Sequence, residues 1–151
     1  MVTMETFPHI KVKALAWIED QDNLFVVKMT DKAKKDDYYR PIGGTVEFGE
    51  LTRETLIREV HEELNTEVQI TGQPLILENL YTCDGESGHE IVYLYPCRFI
   101  DQSFYERKIL PLTEVDGTQW QALWVNLADF LDRTYRLVPE TLYEFYAAQN
   151  S

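Results

Sequence analysis

Cysteine, histidine and cationic side chains are all scarce in this 151-residue chain, and no long apolar run interrupts it. The two cysteines, Cys83 and Cys97, sit apart with no CxxC or Cys/His cluster, which argues against a disulfide framework and against a zinc site. The longest apolar stretches, Ala14 to Ile18 and Ile91 to Tyr95, fall far short of the ~20 residues that a membrane-crossing helix needs. The opening MVTMETFPHIKVK lacks the apolar centre of a secretory signal, so a soluble, reducing, cytoplasmic setting is expected. Lys and Arg total 14 against 26 for Asp and Glu, giving a net charge of −12. Binding to nucleic acid or to an anionic membrane is not expected, because both require a cationic face. An acidic protein that handles phosphates must gather positive charge locally, through a few Lys or Arg side chains or a bound cation.

What is present suffices for a core: 44% of residues are hydrophobic and 13% aromatic, consistent with one folded domain over residues 1–151. No repeat or linker breaks the chain. His9 to Ile18 and Leu24 to Met29 are rich in Val, Ile, Leu and aromatics, and turn-type residues 19–23 separate them, so they read as a hairpin. Thr30 to Asp37 interleaves Lys and Asp and reads as a solvated loop. Tyr38 to Phe48 reads as short extended chain broken by Gly43 and Gly44, followed by a helix from about Glu50 to Leu64. Leu75 to Cys83 and Glu90 to Cys97 read as a strand pair around residues 84–88. Gln119 to Val125 is a further strand, Asp129 to Leu131 a short helical turn, and Pro139 to Ala148 a C-terminal helix with Pro139 at its start. Irregular alternation of strands and helices, without a dinucleotide fingerprint, points to a mixed α/β or α+β domain whose sheet is covered by helices.

Chemistry concentrates on the central helix. At about 100° per residue, Glu59, Glu62 and Glu63 share an arc of roughly 100°, and Leu56, Ile57, Val60 and Leu64 form the adjoining apolar stripe. Residues 47–67 hold seven of the 16 glutamates, two arginines and no lysine. Like charges one turn apart cost a few tenths of a kcal/mol per pair. Arg58, four after Glu54 and four before Glu62, can orient part of the cluster without neutralising it. Gly43 and Gly44 read as a tight turn whose carbonyls could face the carboxylates. Carbonyl plus carboxylates is a hard-oxygen donor set suited to Mg²⁺ or Mn²⁺.

In order, Gly44, Glu50, Arg58, Glu59, Val60, Glu62 and Glu63 reproduce G-x5-E-x7-R-E-U-x-E-E-x-G-U, with U apolar, at seven of its nine specified positions. The stretch Gly44 to Thr66 thereby resembles the Nudix box. RPIGGTVEFGE and the phrases around Glu78 and His89 extend the similarity to a bacterial group of that family. Asn65 and Thr66 depart from the box. Asn65 falls where the helix should end in a left-handed cap, a position asparagine tolerates.

The resemblance implies an α/β/α sandwich around a mixed sheet. It implies hydrolysis of a nucleoside diphosphate linked to some moiety X, by water attack on phosphorus, with MutT-like relatives. Glu59, Glu62 and Glu63 become the metal set, with the Gly43 carbonyl as an extra ligand and Mg²⁺ or Mn²⁺ as the ion. Glu59 is also the in-box candidate for general base. Glu63 and Arg58 join it as catalytic candidates, with Arg58 and Glu50 as supports. Glu90 and Glu114, more weakly Asp116, are candidates outside the box for a base, a ligand or a substrate contact, and Arg40 is the foremost phosphate contact. His89 is a candidate base or ribose contact, and His61 reads as surface. Homodimers occur among relatives. The alternative is a catalytically weak nucleotide sensor or partner-binding module on the same fold.

Overall fold

The computed structural model describes residues 8–113 and 119–143. Its strands are β1 (Lys11–Trp17), β2 (Glu19–Asp20), β3 (Asn23–Asp31), β4 (Asp36–Thr45), β5 (Val68–Ile70), β6 (Leu75–Cys83), β7 (Glu86–Phe99), β8 (Ile109–Thr113) and β9 (Gln119–Asn126). The helices are α1 (Thr52–Leu64) and the short α2 (Leu127–Leu131), with a 3₁₀ turn at Gln102–Tyr105. The strands form one mixed sheet in the order β5-β7-β1-β4-β3-β9-β8, with β2 against β3 and β6 against β7. Only the β1–β7 pair is parallel among the named pairs.

Side-chain alternation along the central strands builds a core on each face. Ala14, Ala16, Phe25 and Val27 pack with Leu56 and Val60 of α1. Leu15, Leu24 and Val26 pack instead with Leu127 and Phe130 of α2 and with Leu142. This is the expected helix–sheet–helix layering of a mixed α+β domain. Leu56 and Val60 are fully buried, and each such side chain contributes about 1.5–3 kcal/mol. That outweighs the few tenths per acidic pair, so α1 forms despite its charge.

Three local expectations are corrected. β1 does not pair with β3: it lies between β7 and β4, because Ala14, Leu15 and Ala16 are buried on both faces and need a neighbour on each side. The turn residues close a smaller hairpin, Glu19↔Leu24 and Asp20↔Asn23, with Gln21 at φ 52°. The glycine pair is not a turn either. Gly43 and Gly44 lie within β4, opposite Leu15 and Ala14. Finally, β3 and β4 run on to Asp31↔Asp36, so the Lys-rich loop shrinks to residues 32–35. The last expected helix begins at residues 141–143, and its remainder lies outside the described residues.

β4 changes partners midway, and this creates the cleft. Residues 36–41 pair with β3, whereas Ile42 to Thr45 pair with β1. Beside Tyr39, the side opposite β3 is taken by residues 136–138: Tyr39 N donates to the Arg136 carbonyl and Val138 N to the Tyr39 carbonyl, both at 2.8 Å. The β3–β4 and β6–β7 hairpins both contribute walls to the cleft. Their tips are tied together by the buried Asp31, whose Oδ1 accepts from Ala33 N, Lys34 N and Asp84 N, while Asp84 Oδ1 accepts from Lys32 N at 2.7 Å. Between the hairpins opens a cleft of about 1190 Å³.

Candidate active site

Helix α1 is anchored before its charges are placed. Leu51 N donates to Glu54 Oε1 at 2.9 Å, half of a capping arrangement, and Thr52 Oγ1 meets the Tyr95 hydroxyl at 2.6 Å. Glu54 is thereby occupied at the helix start and does not pair with Arg58, contrary to the i,i+4 expectation. At the other end Asn65 sits at φ 52°, ψ 41° and its N–H reaches the His61 carbonyl at 2.8 Å. This is the left-handed cap expected of it, so the departure from glycine leaves the helix end intact.

Arg58 is the hub of the acidic face. It grips Glu50 with two bonds, Nε to Oε2 at 2.7 Å and Nη2 to Oε1 at 3.0 Å, the fork geometry in which guanidinium is strongest. Nη1 reaches Glu59 Oε1 at 2.9 Å and Glu62 Oε2 at 3.3 Å, and Glu47 lies 4.0 Å away. Glu50 also accepts from Thr55. The Arg58 bond first, then that of Thr55, holds its carboxyl down at about 2. Burial pushes the Glu59 carboxyl the other way, upward, against the opposing pull of Arg58. One guanidinium thus faces four carboxylates, and burial weighs on the more enclosed of the two helix-borne ones that it bonds.

Gly44 permits this placement. A Cβ there would run into the Glu59 carboxyl carbon and sit 2.5 Å from its Oε1. The residue type, rather than a turn, brings the helix carboxylate onto β4. Gly43 has a different reason: at φ 151° its Cβ would strike the Ala14 carbonyl and approach Leu15 Cα within 2.8 Å.

Of the remaining candidates, Glu62 is exposed and His61 is surface, as expected, while Glu63 is half-buried. Glu59, Glu62 and Glu63 share a helix face without converging: among the described residues, only Asp31, Cys83 and Asp84 bring three ligand-type atoms within 4.8 Å of one another. The donor set nevertheless fits a hard cation, being all carboxylate. Glu114 and Asp116 lie outside the described residues.

Arg40 and Glu90 both line the cleft, and so does His89. Glu90 is no ordinary surface acid, since it is 9% exposed and accepts from Asn79 Nδ2 at 3.0 Å. Arg40 donates to Met29 Sδ at 2.9 Å and, among the described residues, has no carboxylate within 4.0 Å.

Lys13 was missed by sequence reasoning. It lines the cleft and donates to Thr45 Oγ1 at 2.7 Å, while the Thr45 carbonyl accepts from Arg58 at 3.3 Å. Thr45 therefore joins the acidic row to the cleft. Burial, then the Arg40 charge, pulls the Lys13 amine down from its ordinary value, against the opposing pull of Glu90 and Glu59. The available signal was parity: Lys11 and Lys13 occupy positions of β1 that alternate with buried Ala14 and Ala16.

The NUDIX domain model matches residues 9–147. The chain belongs to the NUDIX family. Members of this Nudix hydrolase family generally use divalent metal and act on small nucleotide-type substrates. Solved structures agree on the fold. The Escherichia coli ORF135 protein is 20% identical, with 99% of this chain and 96% of that one covered at a TM-score of 0.59. A NUDIX hydrolase from Nitrosomonas europaea is 18% identical, covering 93% and 90% at 0.63. A UDP-X diphosphatase is 15% identical, covering 95% and 66% at 0.52. No curated protein matches.

Proposed function

We propose that this Nudix protein hydrolyses the pyrophosphate bond of a nucleoside diphosphate linked to X, dependent on Mg²⁺ or Mn²⁺. The observation that carries the reading is the joint at Thr45, where a carboxylate row sharing the Arg58 guanidinium meets a cleft that presents Lys13 and Arg40 in a chain of net charge −12. Glu59, Glu62 and Glu63, with the Gly43 carbonyl, would hold the cation. Bound there, it supplies Lewis-acid neutralisation of phosphate oxygens and eases ionisation of water.

The chain's own groups do the rest. Lys13 and Arg40 bind the diphosphate and balance its charge. Arg58, clamped by Glu50, fixes the rotamers of Glu59 and Glu62. A carboxylate, Glu59 or one outside the box, takes a proton from water as its oxygen bonds to phosphorus. The bridging P–O bond breaks, and the bridging oxygen leaves with the second phosphate. Asn65 holds the helix end in the cap that glycine would give, so that departure offers no support to the catalytically weak alternative.

The test is turnover with Mg²⁺ on a panel of nucleoside triphosphates, ADP-ribose, nucleotide sugars and dinucleoside polyphosphates, repeated with Glu59→Gln. The expected result is metal-dependent cleavage of at least one compound and a loss of about 10²-fold or more in the variant. Tight nucleotide binding without turnover under any metal or pH would replace the enzyme by a sensor.

A further inference from the structure

The β6–β7 end of the cleft carries side chains that neither phosphate binding nor the carboxylate row uses. Asn79 and Glu90 stand directly opposite each other across the pair, 8% and 9% exposed, and both line the cleft. A carboxylate only accepts, so the Asn79–Glu90 contact requires the amide nitrogen to point at Glu90. That leaves Asn79 Oδ1 and Glu90 Oε2 as neighbouring acceptors without a hydrogen-bond partner among the described residues. No Lys, Arg or His lies within 4.0 Å of the Glu90 carboxylate among those residues either. Both residues line the cleft, so these acceptors are open to a ligand there.

Two register steps along, and so on the same face of the sheet, Tyr81 stands opposite Gly88. A Cβ on Gly88 would collide with the Tyr81 Cζ and lie 2.5 Å from both Cε1 and Cε2. Equal distances to the two flanking carbons, with Cζ nearest, put that point over the face of the ring rather than at its edge. The phenol therefore covers the glycine with one face. Tyr81 is only half-buried and lines the cleft, which leaves its other face to an incoming ring. An aromatic face beside hydrogen-bond acceptors is the pairing that reads an unstacked base.

We propose that Tyr81, Asn79 and Glu90 form the base-recognition subsite of the cleft, selective for a base whose edge presents hydrogen-bond donors, guanine first. Guanine offers adjacent N1–H and N2–H donors to the two acceptors. Adenine and cytosine offer a single amino group beside an acceptor. Uracil presents one N–H flanked by two carbonyls, and those would face the carboxylate. Matched bidentate recognition discriminates by about 10- to 100-fold. The proposal deepens the function above and rests on the cleft holding a nucleotide.

Two measurements separate the failure of one from the failure of the other. Calorimetric binding of GMP, AMP, CMP and UMP in the presence of Mg²⁺ needs no turnover, and kcat/KM for the four nucleoside triphosphates needs it. GMP should bind at least 10-fold tighter than UMP, with the same order in kcat/KM. Glu90→Gln, near-isosteric and checked for an unchanged melting temperature, should collapse the GMP/UMP ratio. Tyr81→Ala should weaken all four by a similar factor, about 5- to 100-fold, and Tyr81→Phe should restore binding. Equal affinity for the four bases in the wild type overturns the subsite, even if every triphosphate is cleaved. So does a Glu90→Gln variant that loses kcat equally on all four with its base ratio intact, which would make Glu90 part of the chemistry. Selective GMP binding without cleavage would keep the subsite and discard the hydrolase.

Discussion

The two adjacent glycines of β4 should fail in opposite ways when replaced by alanine. At Gly44 an added Cβ would lie 2.5 Å from Glu59 Oε1 and 2.7 Å from its Cγ, where ordinary contact begins at 3.4 Å. The obstacle is the end of a flexible side chain, so the backbone need not move. The Glu59 carboxylate must instead withdraw by about 1 Å, a displacement that can cost on the order of 10²-fold in rate. Stability should hardly change, because the roughly 0.4–1 kcal/mol that alanine gains through the unfolded chain offsets the crowding. At Gly43 the obstacles are the Ala14 carbonyl and Leu15 Cα, both backbone, at φ 151°. No rotamer relieves that, and a loss of about 2–3 kcal/mol or more is expected. For a chain of this size that is roughly a 4–12 °C fall in melting temperature. The assay is paired: melting temperature by calorimetry and kcat/KM on whichever substrate the panel reveals. Gly44→Ala with wild-type activity would falsify the claim that Glu59 works from this position, and so would a melting temperature as low as that of Gly43→Ala.

The remaining expectations concern charge, metal and the helix end. Glu50 has its carboxyl depressed to about 2 from 4.5, so its contribution to stability is complete above pH 4.5 and disappears as pH falls toward 2; Glu50→Gln should flatten that acid limb in a melting-temperature series, and an unchanged limb refutes the Arg58 clamp. Mg²⁺ or Mn²⁺ at 100 times its dissociation constant should add about 2.7 kcal/mol by mass action, read as a melting-temperature rise that Glu59→Gln combined with Glu63→Gln abolishes; a rise retained in the double variant places the ion elsewhere. Asn65, at φ 52°, should accept glycine with no loss of stability, whereas Asn65→Ala should cost about 1 kcal/mol; equal melting temperatures for the two variants would refute the left-handed cap.

What the sequence disclosed divides by range. The acidic face of α1, its apolar stripe and the cap at Asn65 were legible because a helix is written in neighbours three and four apart. The β6–β7 pair was legible too, and its connection is tighter than the loop expected, since Asp84 and Gly85 at φ 53° and 79° suit a two-residue hairpin turn. Partner choice between strands is set at a distance, and there local reading failed. Nothing near β1 says that it lies between β7 and β4. Nothing near Gly43-Gly44 says that the glycines serve close approach rather than a bend. The cleft residues were hidden for the same reason: Lys13 meets Thr45 across 32 residues, and Asn79 meets Glu90 through a strand register. A weaker signal was nonetheless present. Glu90 shares its strand parity with buried Val92 and Leu94, and Lys13 shares one with Leu15. A charged residue at an inward-facing position of an otherwise apolar strand is costly to bury alone. Wherever the pleat sends such a residue inward, a site that repays the cost should be sought before a solvated surface is assumed.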